Sequence, residues 1–292
     1  MEADFKLKRS TDWSRLTFAI VGLGLIGGSY AKALRSLGVK RIIGLERNPA
    51  TRQLALKLGI VDIALGEAGE DLQKADVIIC CIYPDAIAPF IINNVGYFKE
   101  NVLLTDVAGI KGQMIDAVQA ALKPGMEFIS GHPMAGRQSS GLEMSDAAIF
   151  RGANYIIVPE EGNSPEAISW LEAFAMALGC ARTVQVTPTE HDRIIAYTSN
   201  LPHVTAVALI GSSSYNEKTK YFVAGSFRDG TRVADINPDL WCDLFLANKD
   251  KVADEVEKYM EQLTLWRDAL RSGDGEQLKR LMSAARARRK EL

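Results

Sequence analysis

Metal-binding and cross-linking residues are scarce in this chain: four cysteines and three histidines are spread over 292 residues. Cys80 and Cys81 are adjacent inside an apolar run, Cys180 and Cys242 stand alone, and no Cys-x-x-Cys occurs. That usage argues against a disulfide framework or a cysteine-rich metal site, and it fits a reducing cytoplasm. Long apolar runs are also missing. None approaches the roughly 18 residues of a membrane span, and the polar opening segment lacks the apolar core of a secretory leader. Charge of one sign is not in excess. With 34 basic and 36 acidic side chains the net charge is −2, so neither nucleic acid nor an acidic membrane is an expected partner. The only basic cluster, Arg286-Ala287-Arg288-Arg289-Lys290, reads as the solvated end of a helix, where cations complement the dipole. The remainder, 47% hydrophobic and 24% charged, suits one large or two ordinary globular domains.

Glycine is placed with more purpose. Gly22-Leu23-Gly24-Leu25-Ile26-Gly27 follows a strand-like run and precedes a helix-like one. In Gly-x-Gly-x-x-Gly the first glycine makes a tight turn, the second lets the backbone approach a pyrophosphate, and the third lets helix and strand pack closely. The phosphates then meet the helix N-terminus, at Leu25 and Ile26, where N–H groups and the dipole favour anions. Glu46 ends the run Ile42-Ile43-Gly44-Leu45, at the spacing where an acid holds the adenosine ribose. A carboxylate there repels a 2′-phosphate and favours NAD, whereas neighbouring Arg47 could pair with that phosphate.

Apolar runs at 17–21, 41–45, 77–82, 102–105, 128–130, 155–158 and 183–186 read as strands, with helical stretches such as 49–58 and 109–122 between them. Short continuous apolar runs suit parallel strands covered on both faces. Ser164-Pro165 reads as a cap followed by proline at the first helical position, and Gly179 as the end of that helix. The pattern predicts a Rossmann-like, doubly wound α/β domain over 1–187. After Thr187 no strand is evident, and 188–215, 219–233, 238–272 and 274–290 read as helices, an all-α domain over 188–292. Leu240, Leu244, Val256, Tyr259, Leu263 and Leu270 fall on a long stripe. A helix of that length suggests a partner, most simply a symmetric homodimer through the C-terminal helices.

Ligands bind beyond the carboxyl ends of such strands, so the residues after each strand matter. Tyr83 and Pro84 read as a wall near the cofactor, and Asp106 and Gly109 follow the next strand. His132, in Gly131-His132-Pro133-Met134-Ala135-Gly136, reads as a residue of a tight, ordered loop. It is equally a base that takes an alcohol proton as hydride leaves the same carbon, or a histidine bonded to backbone. His191-Asp192 at a helix start reads as ordinary capping. His203, in Leu201-Pro202-His203, could meet an anion or cap a helix. Arg232, four residues after Arg228, reads by pattern as part of a salt-bridged turn; the functional alternative is a guanidinium fork for a carboxylate.

Taken together these motifs resemble the prephenate dehydrogenase family, which includes arogenate dehydrogenases. The resemblance runs from about Phe18 to about Leu270 and rests on the glycine loop, Asp106-Val107 with Lys111-Gly112, the His-Pro-Met-Ala-Gly run, His191-Asp192, Leu-Pro-His, Thr231-Arg232 and Trp241. It implies NAD-dependent oxidative decarboxylation of prephenate to 4-hydroxyphenylpyruvate in tyrosine biosynthesis. It makes His132 the catalytic group on the ring hydroxyl, Arg232 the carboxylate-binding arginine and His203 a neighbour of the substrate side chain. Asp192 and Trp241 then support the site. Three positions depart from the family: Gly109 replaces a serine, Arg137-Gln138 replaces a pair such as Thr-Glu, and Asn200 stands where histidine is frequent. If Arg137 or Gln138 reaches the substrate, the absence of an acid there favours prephenate over arogenate, which carries an ammonium. Competing expectations are an arogenate dehydrogenase, a β-hydroxyacid-type dehydrogenase using Lys249 or Lys251, and a dinucleotide sensor without catalysis.

Overall fold

The computed structural model describes residues 12–112, 114–136 and 140–291. Two compact units divide the chain, one ending at Asp192 and the other beginning at Arg193.

Six parallel strands make the main sheet of the first unit: β1 (Thr17–Val21), β2 (Arg41–Leu45), β3 (Ile63–Leu65), β4 (Val77–Cys80), β5 (Leu103–Asp106) and β6 (Glu127–Phe128). Their order is β3-β2-β1-β4-β5-β6. Helices α1 (Leu25–Ser36), α2 (Pro49–Lys57), α3 (Pro84–Asn94) and α4 (Met114–Ala121) connect them. Successive side chains of a strand face opposite ways, and the core is divided accordingly. Phe18, Ile20, Ile42, Val77, Ile79 and Leu103 join one buried cluster. Ala19, Val21, Ile43, Ile78, Cys80 and Leu104 join the other. A continuous apolar strand thus feeds two cores, which is why these runs lack alternation. The strand order reverses between β1 and β4, and the carboxyl edge at that reversal is where ligands bind in such sheets.

The structure refines the expected sheet. β3 escapes a sequence reading because three half-buried residues are too few to show a period. The run at 128–130 is not one strand. β6 ends at Phe128, the Ile129 N–H still reaches the Leu104 carbonyl at 3.0 Å, and β7 (Ser130–Pro133) then enters a second sheet. There β7 is antiparallel to β8 (Asn154–Val158), and β8 is parallel to β9 (Arg182–Gln185). His132 is therefore a strand residue opposite Ile156, not a loop residue. Helix α5 (Pro165–Ala177) links β8 to β9; the Ser164 hydroxyl caps it, and Gly179 leaves it with a φ of 98°.

Helix α6 (Pro188–Ile195) spans the boundary between the units. The second unit continues with a π-helical turn (Ala196–Asn200), α7 (Leu201–Ile210), α8 (Gly225–Thr231), α9 (Pro238–Ala247), α10 (Lys249–Ser272) and α11 (Gly275–Arg289). The π turn lies just before Pro202, whose ring nitrogen has no hydrogen to return to the preceding turn. The helix expected over 238–272 is two helices, broken at Asn248. That residue is buried, and its side chain bonds to Asn200 at 3.4 Å.

Candidate active site

Gly22 directly follows β1 with a φ of 89°, and a Cβ there would lie 2.6 Å from the Cys81 carbonyl oxygen. Only glycine can make this turn against the end of β4. A Cβ on Gly27 would lie 1.9 Å from the Gly22 carbonyl oxygen, so the start of α1 packs directly on the turn. Gly24 is different: a Cβ there meets nothing within 4 Å. It caps α1, whose first N–H groups, at Leu25 and Ile26, have no partner within the helix. One glycine closes the turn, one closes the packing, and the middle one leaves room for a pyrophosphate at a helix N-terminus. Glu46, just past β2, accepts the Leu23 N–H at 3.0 Å on one carboxylate oxygen and the Asn48 N–H at 2.9 Å on the other. It is fixed beside the loop with lone pairs left for ribose hydroxyls. Arg47 and Tyr83 are exposed, and Pro84 opens α3.

A connected polar network lies after β5. Asp106, expected on the cofactor side, is instead fully buried with both oxygens occupied. One accepts from Lys111 Nζ and the Ala108 N–H, each at 2.9 Å. The other accepts from the Ser130 hydroxyl at 2.5 Å and the Gly131 N–H at 3.1 Å. Lys111 Nζ also donates to the Gly131 carbonyl at 2.7 Å. This pair ties the loop after β5 to the strand that carries His132. Burial lowers the Lys111 ammonium from its usual range, and the charges of Asp106 and Asp192 oppose that fall.

His132 Nδ1 lies 2.9 Å from His191 Nε2, and His191 Nδ1 lies 2.8 Å from Asp192 Oδ1. The Asp192 carboxylate also accepts the N–H groups of Lys111 and Gly112, at 2.9 and 2.8 Å. Burial works to raise Asp192, but the His191 ring and the two backbone donors outweigh it and hold the carboxyl below its usual range. His132 is pushed well below the usual imidazole range, first by burial, then by Lys111 and His191. It is an uncharged imidazole, able to accept a proton. A Cβ on Gly109 would lie 3.8 and 3.9 Å from His132 Cε1 and Nε2, so that edge of the ring faces the position where a serine is missing.

The second unit gathers three further expected residues. His203, on α7, donates from Nδ1 to the Ser199 carbonyl at 2.8 Å. Its ring lies over Trp241 of α9, with centroids 3.6 Å apart. Arg232 follows α8, and its charge acts on His203: burial lowers the imidazole, the Ser199 carbonyl opposes this, and Arg232 adds to the lowering. An arginine whose charge reaches a histidine stacked on an indole suits a planar carboxylate. Arg137 and Gln138 lie outside the described residues.

Sequence reasoning gave little weight to His191, Lys111 and Ser130. His191 and Asp192 lie inside α6 rather than capping it: Thr187 accepts the Glu190 N–H at the helix start, while both of their side chains are buried and Asp192 turns to the Lys111 and Gly112 N–H groups. The available signal was the scarcity of histidine together with an adjacent acid.

Comparison with known proteins bears on both units. The model described as "Prephenate dehydrogenase, nucleotide-binding domain" matches residues 30–184, and "Prephenate dehydrogenase, dimerization domain" matches 187–284. The prephenate dehydrogenase of Bacillus subtilis is 31% identical over 277 residues, spanning 92% of this chain and 74% of that one. A solved prephenate dehydrogenase from A. aeolicus, in complex with hydroxyphenyl propionate and NAD+, superposes with a TM-score of 0.86 at 27% identity, over 96% of this chain and 99% of that one. Synechocystis arogenate dehydrogenase gives a TM-score of 0.83 at 27% identity, over 94% and 99%. Similar in sequence and in fold across both units, this chain belongs to the prephenate dehydrogenase family of oxidoreductases.

Proposed function

We propose that the chain is an NAD-dependent prephenate dehydrogenase, with His132 as the base that takes the ring hydroxyl proton. The observation that carries this reading is the uncharged His132 beside Gly109. Gly109 lies past β5, at the same carboxyl edge of the parallel sheet as the glycine loop that follows β1. NAD, when bound, supplies the hydride acceptor. Gly24 and the first turn of α1 would hold its pyrophosphate, and Glu46 its ribose. The fixed carboxylate of Glu46 supports NAD over NADP.

In the reaction, the C–H bond at the hydroxyl-bearing ring carbon breaks and its electron pair leaves as hydride. The hydroxyl proton passes to His132 as the C=O bond forms. The bond to the ring carboxylate then breaks, CO2 leaves, and its electrons make the ring aromatic. The proton on His132 is available to the phenolate oxygen so formed. Arg232 binds a substrate carboxylate, and His203 and Trp241 form its surroundings. We assign cofactor handling to the segment up to 187 and substrate binding and dimerisation to 188–292.

A homodimer through the C-terminal helices is part of this reading. It is supported by apolar side chains that α10 leaves open, among them Met260, Leu263 and Leu270. Among the described residues no helix is long and apolar enough to cross a membrane. We place the enzyme in the cytoplasm, in keeping with cysteines that form no disulfide.

The test follows reduced-nicotinamide absorbance with purified chain, presenting prephenate and arogenate side by side, each with NAD and with NADP. Prephenate with NAD should give the highest kcat/KM. Better turnover of arogenate, or a preference for NADP, would reject the corresponding part. Tight NAD binding with no turnover of either substrate would favour a sensor.

A further inference from the structure

The geometry points to His191 as a positioning residue that decides which nitrogen of His132 is basic, with Asp192 as the anchor that fixes His191. This deepens the reading above and rests on it only for the identity of the base. Asp192 already accepts from two backbone N–H groups, so it meets His191 as an acceptor, and the 2.8 Å contact requires a hydrogen on His191 Nδ1. At a pH where imidazoles are uncharged, His191 Nε2 then carries a lone pair. It lies 2.9 Å from His132 Nδ1, which must donate. The lone pair of His132 is thereby confined to Nε2, on the ring edge that faces Gly109.

The alternative tautomer would put a hydrogen on Nε2 and leave nothing there to take a hydroxyl proton. The chain also answers an electrostatic difficulty. When His132 accepts a proton it becomes a cation near Lys111, whose charge lowers the imidazole although Lys111 is paired with Asp106 at 2.9 Å. The charge on Asp192, joined through His191, acts in the opposite sense. Among the described residues, Lys111 and His191 act on this ring, and Asp106 and Asp192 hold those two groups in turn.

Direct observation comes from the intact chain labelled with 15N-histidine. Only three histidines contribute, and His132→Asn identifies one set of signals. Above the imidazole titration range, His132 should show a protonated Nδ1 and a bare Nε2, whether or not any substrate is turned over. A hydrogen on Nε2 would overturn the inference even if prephenate is oxidised; the expected tautomer without turnover would instead fault the reaction assignment. In kinetics, His191→Leu should lower kcat about 100-fold or more with KM nearly unchanged. His191→Gln, whose amide can accept from His132 and donate to Asp192, should recover about tenfold of the lost rate. Equal loss in both variants, or a full-rate Leu variant, would also overturn it. If the Leu variant fails to fold, the spectrum of the unaltered chain still decides.

Discussion

Gly24 and Gly27 belong to the same motif, yet alanine at each should fail in a different assay. A methyl group on Gly27 would lie 1.9 Å from the Gly22 carbonyl oxygen. That oxygen cannot retreat easily. Gly22 is wedged against the Cys81 carbonyl, and its N–H is held by the Leu45 carbonyl at 2.7 Å. Overpacking costs about 1–3 kcal/mol when flexible side chains can adjust, and a backbone obstacle places this case at about 3. The better helix propensity of alanine returns at most about 1 kcal/mol. A net loss of about 2–3 kcal/mol lowers the midpoint of a unit this size by about 4–12 °C. At Gly24 the backbone angles, φ −75° and ψ −155°, suit any residue, and the methyl group meets no atom. Stability should stay within about 0.5 kcal/mol of the parent. The methyl would instead occupy the approach of the pyrophosphate, weakening NAD by about tenfold or more, or about 1.4 kcal/mol. Thermal unfolding without ligand and calorimetric NAD titration separate the two. Gly24→Ala binding NAD like the parent, or Gly27→Ala melting at the parental temperature, would refute the division of labour.

Removing one member of the buried Lys111–Asp106 pair, as in Lys111→Met, strands a charge and should cost about 3–5 kcal/mol in urea unfolding; a loss under about 1 kcal/mol would show the network to be dispensable. The His132 imidazole, depressed on folding, binds its proton more readily in the unfolded chain. Its contribution is therefore complete above the ordinary histidine value of about 6.5 and is lost as pH falls from there toward the folded value. Denaturation midpoints measured from pH 8 downward should decline over that window, and the decline should shrink in His132→Asn; a flat profile would contradict the assignment. Arg232→Lys keeps the charge and loses the planar fork, so KM for prephenate should rise about 10–100-fold, which steady-state kinetics reads directly; an unchanged KM would remove Arg232 from the substrate.

How legible each part was depends on whether a residue's neighbours are near in sequence. The glycine loop and the acid after β2 were readable because strand, turn and helix are contiguous, and so were the caps at Ser164 and Gly179. The path of β7 was not. Ser130 to Pro133 carries no periodicity that distinguishes a loop from a strand, and its place is fixed by Asp106 and by β8, which are distant along the chain. Asp106 illustrates the same limit. An acid at the end of a parallel strand suggests contact with a ligand, but the lysine five residues on turns inward and claims it. The break at Asn248 depends on a partner 48 residues earlier, in the π turn.

The histidines show what kind of fact lies beyond pattern. Each of the three uses Nδ1 locally: His132 toward His191, His191 toward Asp192, His203 toward the Ser199 carbonyl. For an uncharged ring that choice leaves Nε2 as the acceptor. His191 gives its Nε2 to His132, so one bare Nε2 remains in each unit, on His132 in the first and on His203 in the second. A sequence names the imidazole but not the nitrogen. The nitrogen is assigned by whichever acceptor the fold brings to Nδ1: a carbonyl four residues back in a helix for His203, and for His132 a second histidine 59 residues away. The first contact could be anticipated from helical spacing. The second requires β7 and α6 to be brought together, and it is the second that bears on the proposed proton transfer.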